Sequence, residues 1–217
     1  MRSLNVIIYY IYRTYILFMS REGKARVLNE QEFKRLLIIA KASPFALRNI
    51  AIIYCSFGLG LRVKEISSLT FKDVIDFDFN ILEEVNLKRA MTKGDKQRHV
   101  YITNKKVASA LLEYIDDVHK KEKELFNFKA PLFKTQRGSR FHPDVLQKWF
   151  RKLYNKAGLV GASSHTGRRT FITRLIEQGA DIKAVSRLAG HAHIVTTSEY
   201  VEDNPNRLKR ISSMAIF

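Results

Sequence analysis

The chain has 217 residues, enough for one ordinary domain with a short appendage and a hydrophobic core of its own. Hydrophobic residues make up 46% and charged residues 27%, which excludes a disordered chain. Lys and Arg number 38 against 21 Asp and Glu, a net charge of +17, so the expected partner is a polyanion: nucleic acid first, an anionic membrane surface second.

Residues 1–20, MRSLNVIIYYIYRTYILFMS, are apolar and aromatic. Arg13 interrupts the run, no small-residue cleavage site follows, and the stretch is too short and polar to span a bilayer. It reads as a helix or strand that packs on the domain or on a partner chain, with a membrane-surface role as the alternative. Arg21 to Arg26 is a basic linker, and the domain proper starts at Val27. Asn29 with Glu32 predicts a capping box ahead of the helix EFKRLLIIAKA. Ser43-Pro44 restarts the chain, and Ala46 to Gly58 predicts a second, mostly buried helix. Cys55 lies in it as a small core residue; one cysteine cannot form an internal disulfide, which fits a reducing cytoplasm. Gly58 and Gly60 then make a turn before a new helix, with Arg62 and Glu65 one turn apart at its start. Alone, that pair reads as a surface ion pair worth tenths of a kcal/mol.

From 71 to 102 the period changes to alternating and β-branched runs, which predicts a small antiparallel sheet with a hairpin turn near Lys93-Gly94-Asp95. Asn104 to Leu125 predicts a helix with Val107, Leu111, Leu112, Ile115 and Val118 as its apolar stripe and KKEKE as a solvated end. Pro131 to Arg140, PLFKTQRGSR, is a cation-rich loop suited to touching a phosphate backbone. His142-Pro143 opens a further helix, in which Trp149, Phe150, Leu153 and Tyr154 are expected in the core.

Ser164 to Val201 reads as three short helices with a reactive polar residue at each joint. His165 and Arg168 share a face of the first, which Gly179 ends; Asp181 caps the second, which Gly190 ends. His191 follows that stop, and Tyr200 lies nine residues on. Phe171, Ile172, Leu175, Ile176, Ile182, Val185 and Leu188 hold helical spacing and face a core. One cysteine and six scattered histidines give no zinc-ligand spacing; His191-x-His193 is not enough.

Gly60-Leu61-Arg62-Val63-Lys64-Glu65, His165-Thr166-Gly167-Arg168, Leu188-Ala189-Gly190-His191 and Tyr200 together resemble the active-site motifs of the tyrosine recombinase (phage integrase) family. The resemblance implies an α+β, mainly α-helical catalytic domain with a small antiparallel sheet over residues 27–205, an extension over 1–26, and a tail over 206–217 that docks on a neighbouring protomer. It implies a site-specific recombinase that breaks and rejoins DNA through a 3′-phosphotyrosine, for integration or excision of a mobile element or phage. In that reading Tyr200 is the nucleophile, since a phenolic oxygen can store the phosphodiester bond in a covalent intermediate. Arg62 and Arg168 neutralise the non-bridging oxygens with planar forks that a lysine lacks. Lys93 on the hairpin is the general acid, with Lys96 as the alternative if the turn register differs. His165 shuttles the nucleophile's proton, His191 donates to a phosphate oxygen, and Glu65 orients the set. Arg169 stands where many members carry His, and is expected to tune activity.

Further DNA contacts are expected at Lys96, Arg98, Lys134, Arg137, Arg140 and Arg169. No cofactor or metal is implied, because arginines carry the charge work. The implied partners are double-stranded DNA, three more copies in a homotetramer on two DNA sites, and an accessory directionality factor, with no membrane. The expected compartment is the cytoplasm, at the nucleoid of a prokaryotic cell or in a virus-infected host cell. A DNA-binding accessory or regulator that kept the fold, a DNA invertase and a type IB topoisomerase are the competing readings; the L-x-G-H block and small size favour the recombinase. Most members carry an N-terminal core-binding domain, whereas about 26 residues precede this one. That implies either a short catalytic-domain-only member or a truncated product.

Overall fold

The computed structural model describes residues 25–92 and 97–200, together with Lys209, Ser212 and Ser213. The readings made for residues 1–20, for Lys93 and Lys96, and for most of the 206–217 tail lie outside the described residues.

Helices dominate. Helix α1 spans Glu30–Lys41 and opens on the expected capping box: Asn29 Oδ1 accepts from the Glu32 N–H at 2.9 Å, and Glu32 Oε2 accepts from the Asn29 N–H at 3.1 Å. Helix α2, Ala46–Gly58, is the central rod, with Ala51, Ile52, Ile53 and Cys55 fully buried. It packs against α1, α3 (Val63–Ser68), α4 (Lys105–Glu122) and α6 (Thr166–Glu177). Such an all-round apolar helix has no solvated face, so charge on it must be internally paired. Arg48 meets that requirement: its guanidinium donates to the Lys134 carbonyl at 2.8 Å and lies over the Phe45 ring, 4.3 Å from the centroid. Helix α5, Pro143–Lys156, begins with proline at its first turn as expected, and buries Leu146, Phe150, Leu153 and Tyr154, with Trp149 half-buried beside them.

The sheet is smaller than the sequence pattern suggests. Strands β1 (Glu84–Leu87) and β2 (Arg98–Tyr101) pair antiparallel, Glu84 opposite Tyr101 and Leu87 opposite Arg98. Most of 71–83 is irregular instead. A 3₁₀ turn at Phe71–Asp73 and a loop pinned by the Asp76 side chain, which accepts from the N–H groups of Asp78 and Asn80, take the place of a strand. The Leu112 assignment also fails, since that side chain is 38% exposed. The stripe of α4 runs through Val107, Leu111, Tyr114 and Ile115, and the Tyr114 hydroxyl donates to the buried Leu132 carbonyl at 2.8 Å.

The C-terminal third forms a second, smaller core of Ile172, Ile176, Val185 and Ala189, against which Phe171, Leu175 and Tyr200 pack. It involves α6, α7 (Ile182–Ala189) and α8 (Val195–Ser198). Gly179 ends α6 and Gly190 ends α7 as expected, both with positive φ (91° and 62°). Asp181 caps α7, its Oδ1 accepting from the Ala184 N–H at 2.8 Å. Gly167 lets α6 lie directly on α2: a Cβ there would overlap Ser56 Oγ and come within 2.9 Å of Phe57. The glycine of the H-x-G-R block is thus a packing requirement that fixes the depth of Arg168.

Candidate active site

A helix C-terminus leaves carbonyls without intrahelical partners and carries the negative end of the helix dipole. At the end of α7 three successive carbonyls, those of Leu188, Ala189 and Gly190, are each met by a guanidinium from a different element. Arg98 on β2 donates to Leu188, Arg168 on α6 donates to Ala189, and Arg62 at the start of α3 donates to Gly190 at 3.2 Å. The second fork nitrogen of Arg168 donates to the Gly60 carbonyl at 2.8 Å, tying the glycine turn to α6. The arginines are thereby held before any ligand arrives.

One carboxylate balances them. Glu65 is fully buried and accepts the Arg62 N–H at 2.7 Å, the Arg62 guanidinium at 3.1 Å, and Arg98 twice, at 3.1 and 2.6 Å. Burial alone would raise its carboxyl. The hydrogen bonds and charge of Arg98, followed by those of Arg62, outweigh that and hold it below the usual carboxylate range. The Arg62–Glu65 pair is therefore not the surface contact that its spacing suggests. Three cations around one anion leave the site net positive.

Arg98 requires a correction. It was expected to face DNA, yet it is 6% exposed and its fork is taken up by Glu65 and Leu188. A phosphate would have to displace a buried ion pair to reach it. The signal was present in the period of β2: Arg98 and Val100 point inward while His99 and Tyr101 point out. Gly190 is needed for the same contact, because a Cβ there would overlap Arg98 Cδ.

The loop cations divide. Lys134 is ion-paired with Glu122, and Arg140 donates to the carbonyls of Ser67 and Ser68 at 3.1 and 2.8 Å, so both brace the loop against the body. Arg137 is exposed at the loop tip, beside Gly138.

His191, the residue after Gly190, is half-buried, and its Nδ1 lies 2.7 Å from the hydroxyl of the fully buried Thr197 on α8. Desolvation, then the charges of Arg168, Arg62 and Arg98, push its imidazole down to about 4, so it is neutral at physiological pH. Burial, with help from Arg62 and Arg98, also pushes Arg168 down to about 9, which leaves it cationic. Tyr200 stacks its ring on His191, centroids 5.8 Å apart and planes 22° apart, and the Arg169 guanidinium lies 5.3 Å from the same ring. Arg169 thus touches the candidate nucleophile. His165 stands exposed just before α6, one turn ahead of Arg168.

Arg62, Arg98, Arg187, Gly190, His191 and Thr196 line a groove of about 700 Å³ beside this cluster. Its lining suits an anion: guanidiniums for charge and an imidazole that can donate. Among the described residues no group of His, Cys, Asp and Glu is placed to hold a metal ion, and no helix is long and apolar enough to cross a membrane.

The phage integrase family model matches residues 26–207. The chain belongs to the phage integrase family. It is 32% identical over 172 residues to a tyrosine recombinase XerC of Pelobacter propionicus, covering 79% of this chain and 53% of that protein. To a tyrosine recombinase XerD of Oceanobacillus iheyensis it is 31% identical over 185 residues, 84% and 59% of the two chains. The integrase-family chain thus spans a little over half the length of these curated relatives. The crystal structure of a XerA recombinase superposes with a TM-score of 0.69 at 29% identity, covering 89% of this chain and 66% of that one. XerH site-specific recombinase bound to its difH substrate gives 0.64 at 25%, covering 89% and 55%. The fold is that of the tyrosine recombinase catalytic domain, mainly helical with a small antiparallel sheet.

Proposed function

We propose that this chain is the catalytic unit of a site-specific DNA recombinase that cuts and rejoins strands through a 3′-phosphotyrosine. The observation that carries the reading is the convergence of Arg62, Arg168 and His191 on the end of α7, with the Tyr200 ring against His191.

Tyr200 Oη attacks phosphorus, the bond to the 5′ oxygen breaks, and the bond energy is kept in the phosphotyrosine. Charge that builds on the non-bridging oxygens meets Arg62, Arg168 and the His191 N–H. Arg168 is buried with its fork nitrogens on the Gly60 and Ala189 carbonyls, so a phosphate has to share or replace those contacts. The phenol proton passes to His165, and the leaving 5′ oxygen takes one from Lys93. A 5′ hydroxyl from another strand reverses these steps and joins the DNA in a new pairing. Because exchange involves two duplexes, the working unit is a homotetramer on two sites, with the C-terminal tail passed between protomers. Integration or excision of a mobile element is the biological outcome we favour, with an accessory directionality factor choosing between them.

The XerH relative was captured with its DNA substrate, which supports DNA as the partner here. The test is denaturing recovery of protein-linked fragments from the DNA of the source. Wild-type protein should retain one recurring sequence and Tyr200→Phe none. Equal recovery by both would remove Tyr200 from its role.

A further inference from the structure

We infer that Thr197 is a positioning residue: its hydroxyl donates to His191 Nδ1 and so keeps the imidazole proton on Nε2, the nitrogen that faces a bound phosphate. The inference rests on the phosphate-transfer reading above and assigns a role to a residue that the sequence did not single out.

The Thr197 side chain has no solvent exposure, and its Oγ1 lies 2.7 Å from His191 Nδ1. Two arrangements share a proton across that distance. If Nδ1–H donated, the threonine would still have to place its own hydroxyl proton, and His191 Nδ1 is the hydrogen-bond partner that its Oγ1 has among the described residues. A buried donor left unmet is costly. If the hydroxyl donates, its proton is satisfied by Nδ1, and the ring carries its hydrogen on Nε2. The second arrangement is therefore favoured.

This matters because the ring has one proton to place. Burial and the three neighbouring guanidiniums keep His191 neutral, so one nitrogen donates and the other accepts. A phosphate oxygen is an acceptor. With the proton on Nδ1, Nε2 would turn a lone pair toward the phosphate and repel it.

Thr197 also couples the histidine to the nucleophile. Its carbonyl accepts the Tyr200 N–H at 3.1 Å, in the turn just past the end of α8. The histidine's partner and the nucleophile are thus joined by one main-chain hydrogen bond. The signal in the sequence is a threonine six residues after His191 and three before Tyr200, at helical spacing from the nucleophile.

The test uses the full chain with ¹⁵N-labelled histidine. Ring nitrogen shifts report the His191 tautomer without any turnover, and single-turnover covalent capture of DNA, with the dissociation constant measured alongside, reports chemistry. Wild type and Thr197→Ser should carry the proton on Nε2. Thr197→Val, which keeps the shape and removes the hydroxyl, should move the population toward Nδ1–H. It should also slow capture by about tenfold to 100-fold at unchanged DNA affinity, below the loss expected when an oxyanion donor is removed outright. Thr197→Ser should restore capture to within about threefold of wild type. An Nδ1–H wild type, a tautomer unmoved by Thr197→Val, or a moved tautomer with undiminished capture would each overturn the inference. Absence of capture by wild type would instead refute the recombinase reading, while the spectrum still decides the tautomer.

Discussion

Replacing Arg98 by Met tests the buried charge cluster most sharply. The change removes both hydrogen bonds from Arg98 to Glu65, at 3.1 and 2.6 Å, and the donor to the Leu188 carbonyl. Glu65 keeps the Arg62 N–H at 2.7 Å and the Arg62 guanidinium at 3.1 Å. Breaking a buried ion pair by deleting one partner costs about 3–5 kcal/mol, and the surviving Arg62 contacts place this case at the lower end, about 3 kcal/mol. For a chain of this size each kcal/mol moves the melting temperature by about 2–4 °C, so Arg98→Met should melt about 6–12 °C below wild type. Arg98→Met combined with Glu65→Gln should lose less than the two single changes added together, because no uncompensated carboxylate remains. The acid limb gives a second check. Glu65 has a folded value below its ordinary 4.5, so its stabilising effect is present above 4.5 and is lost as pH falls toward the folded value. The gap between wild type and Arg98→Met should therefore close with acidification through that window. Scanning calorimetry at neutral and acid pH measures both. A melting shift under about 2 °C at neutral pH would refute the claim that Arg98 is an internal strut.

Three further outcomes are expected. Gly167→Ala should destabilise the fold by about 1–3 kcal/mol in urea titration, because its methyl must displace Ser56 and Phe57 where α6 meets α2. The folded His191 titrates near 4 against an ordinary 6.5, so between those values the unfolded chain binds more protons and stability rises with pH. His191→Gln should flatten that part of the profile, with the flanking Arg62, Arg98 and Arg168 unchanged in charge. Lys93→Ala should slow strand cleavage by about 10²–10⁴-fold on ordinary DNA. Sulfur in place of the 5′ bridging oxygen should restore it, since a thiolate leaves without a proton. If Lys96→Ala shows that rescue instead, the role belongs to Lys96.

Elements with a local cause were legible in the sequence. The Asn29–Glu32 box, Pro143 at a first turn, the Asp181 cap and the Gly190 stop are each decided by residues within a few positions of one another, and each falls where its chemistry requires. The site was legible as motifs because Arg62, Arg168, His191 and Tyr200 have side chains that chemistry can name. Its hub was not, since the three carbonyls at the end of α7 carry no side-chain identity. Arg98 departs from the expectation because a cation in a basic chain suggests a solvated side chain, whereas the alternation of β2 turns it inward. Thr197 carries little signal in the sequence alone, because its role depends on the histidine six residues earlier turning back on it. The 71–83 stretch read as strand because β-branched residues also suit irregular buried loops, and Asp76 decides between the two through hydrogen bonds to its own backbone.

The central claim is that Tyr200 joins DNA through a 3′ phosphate. Covalent complexes trapped on DNA of the source, trimmed with nuclease and digested with protease, can be weighed by mass spectrometry. The account predicts a nucleotide linked through its 3′ phosphate to the peptide that contains Tyr200, and a free 5′ hydroxyl on the released strand. An adduct on another residue, a 5′ linkage, or cut DNA with no protein attached would contradict it.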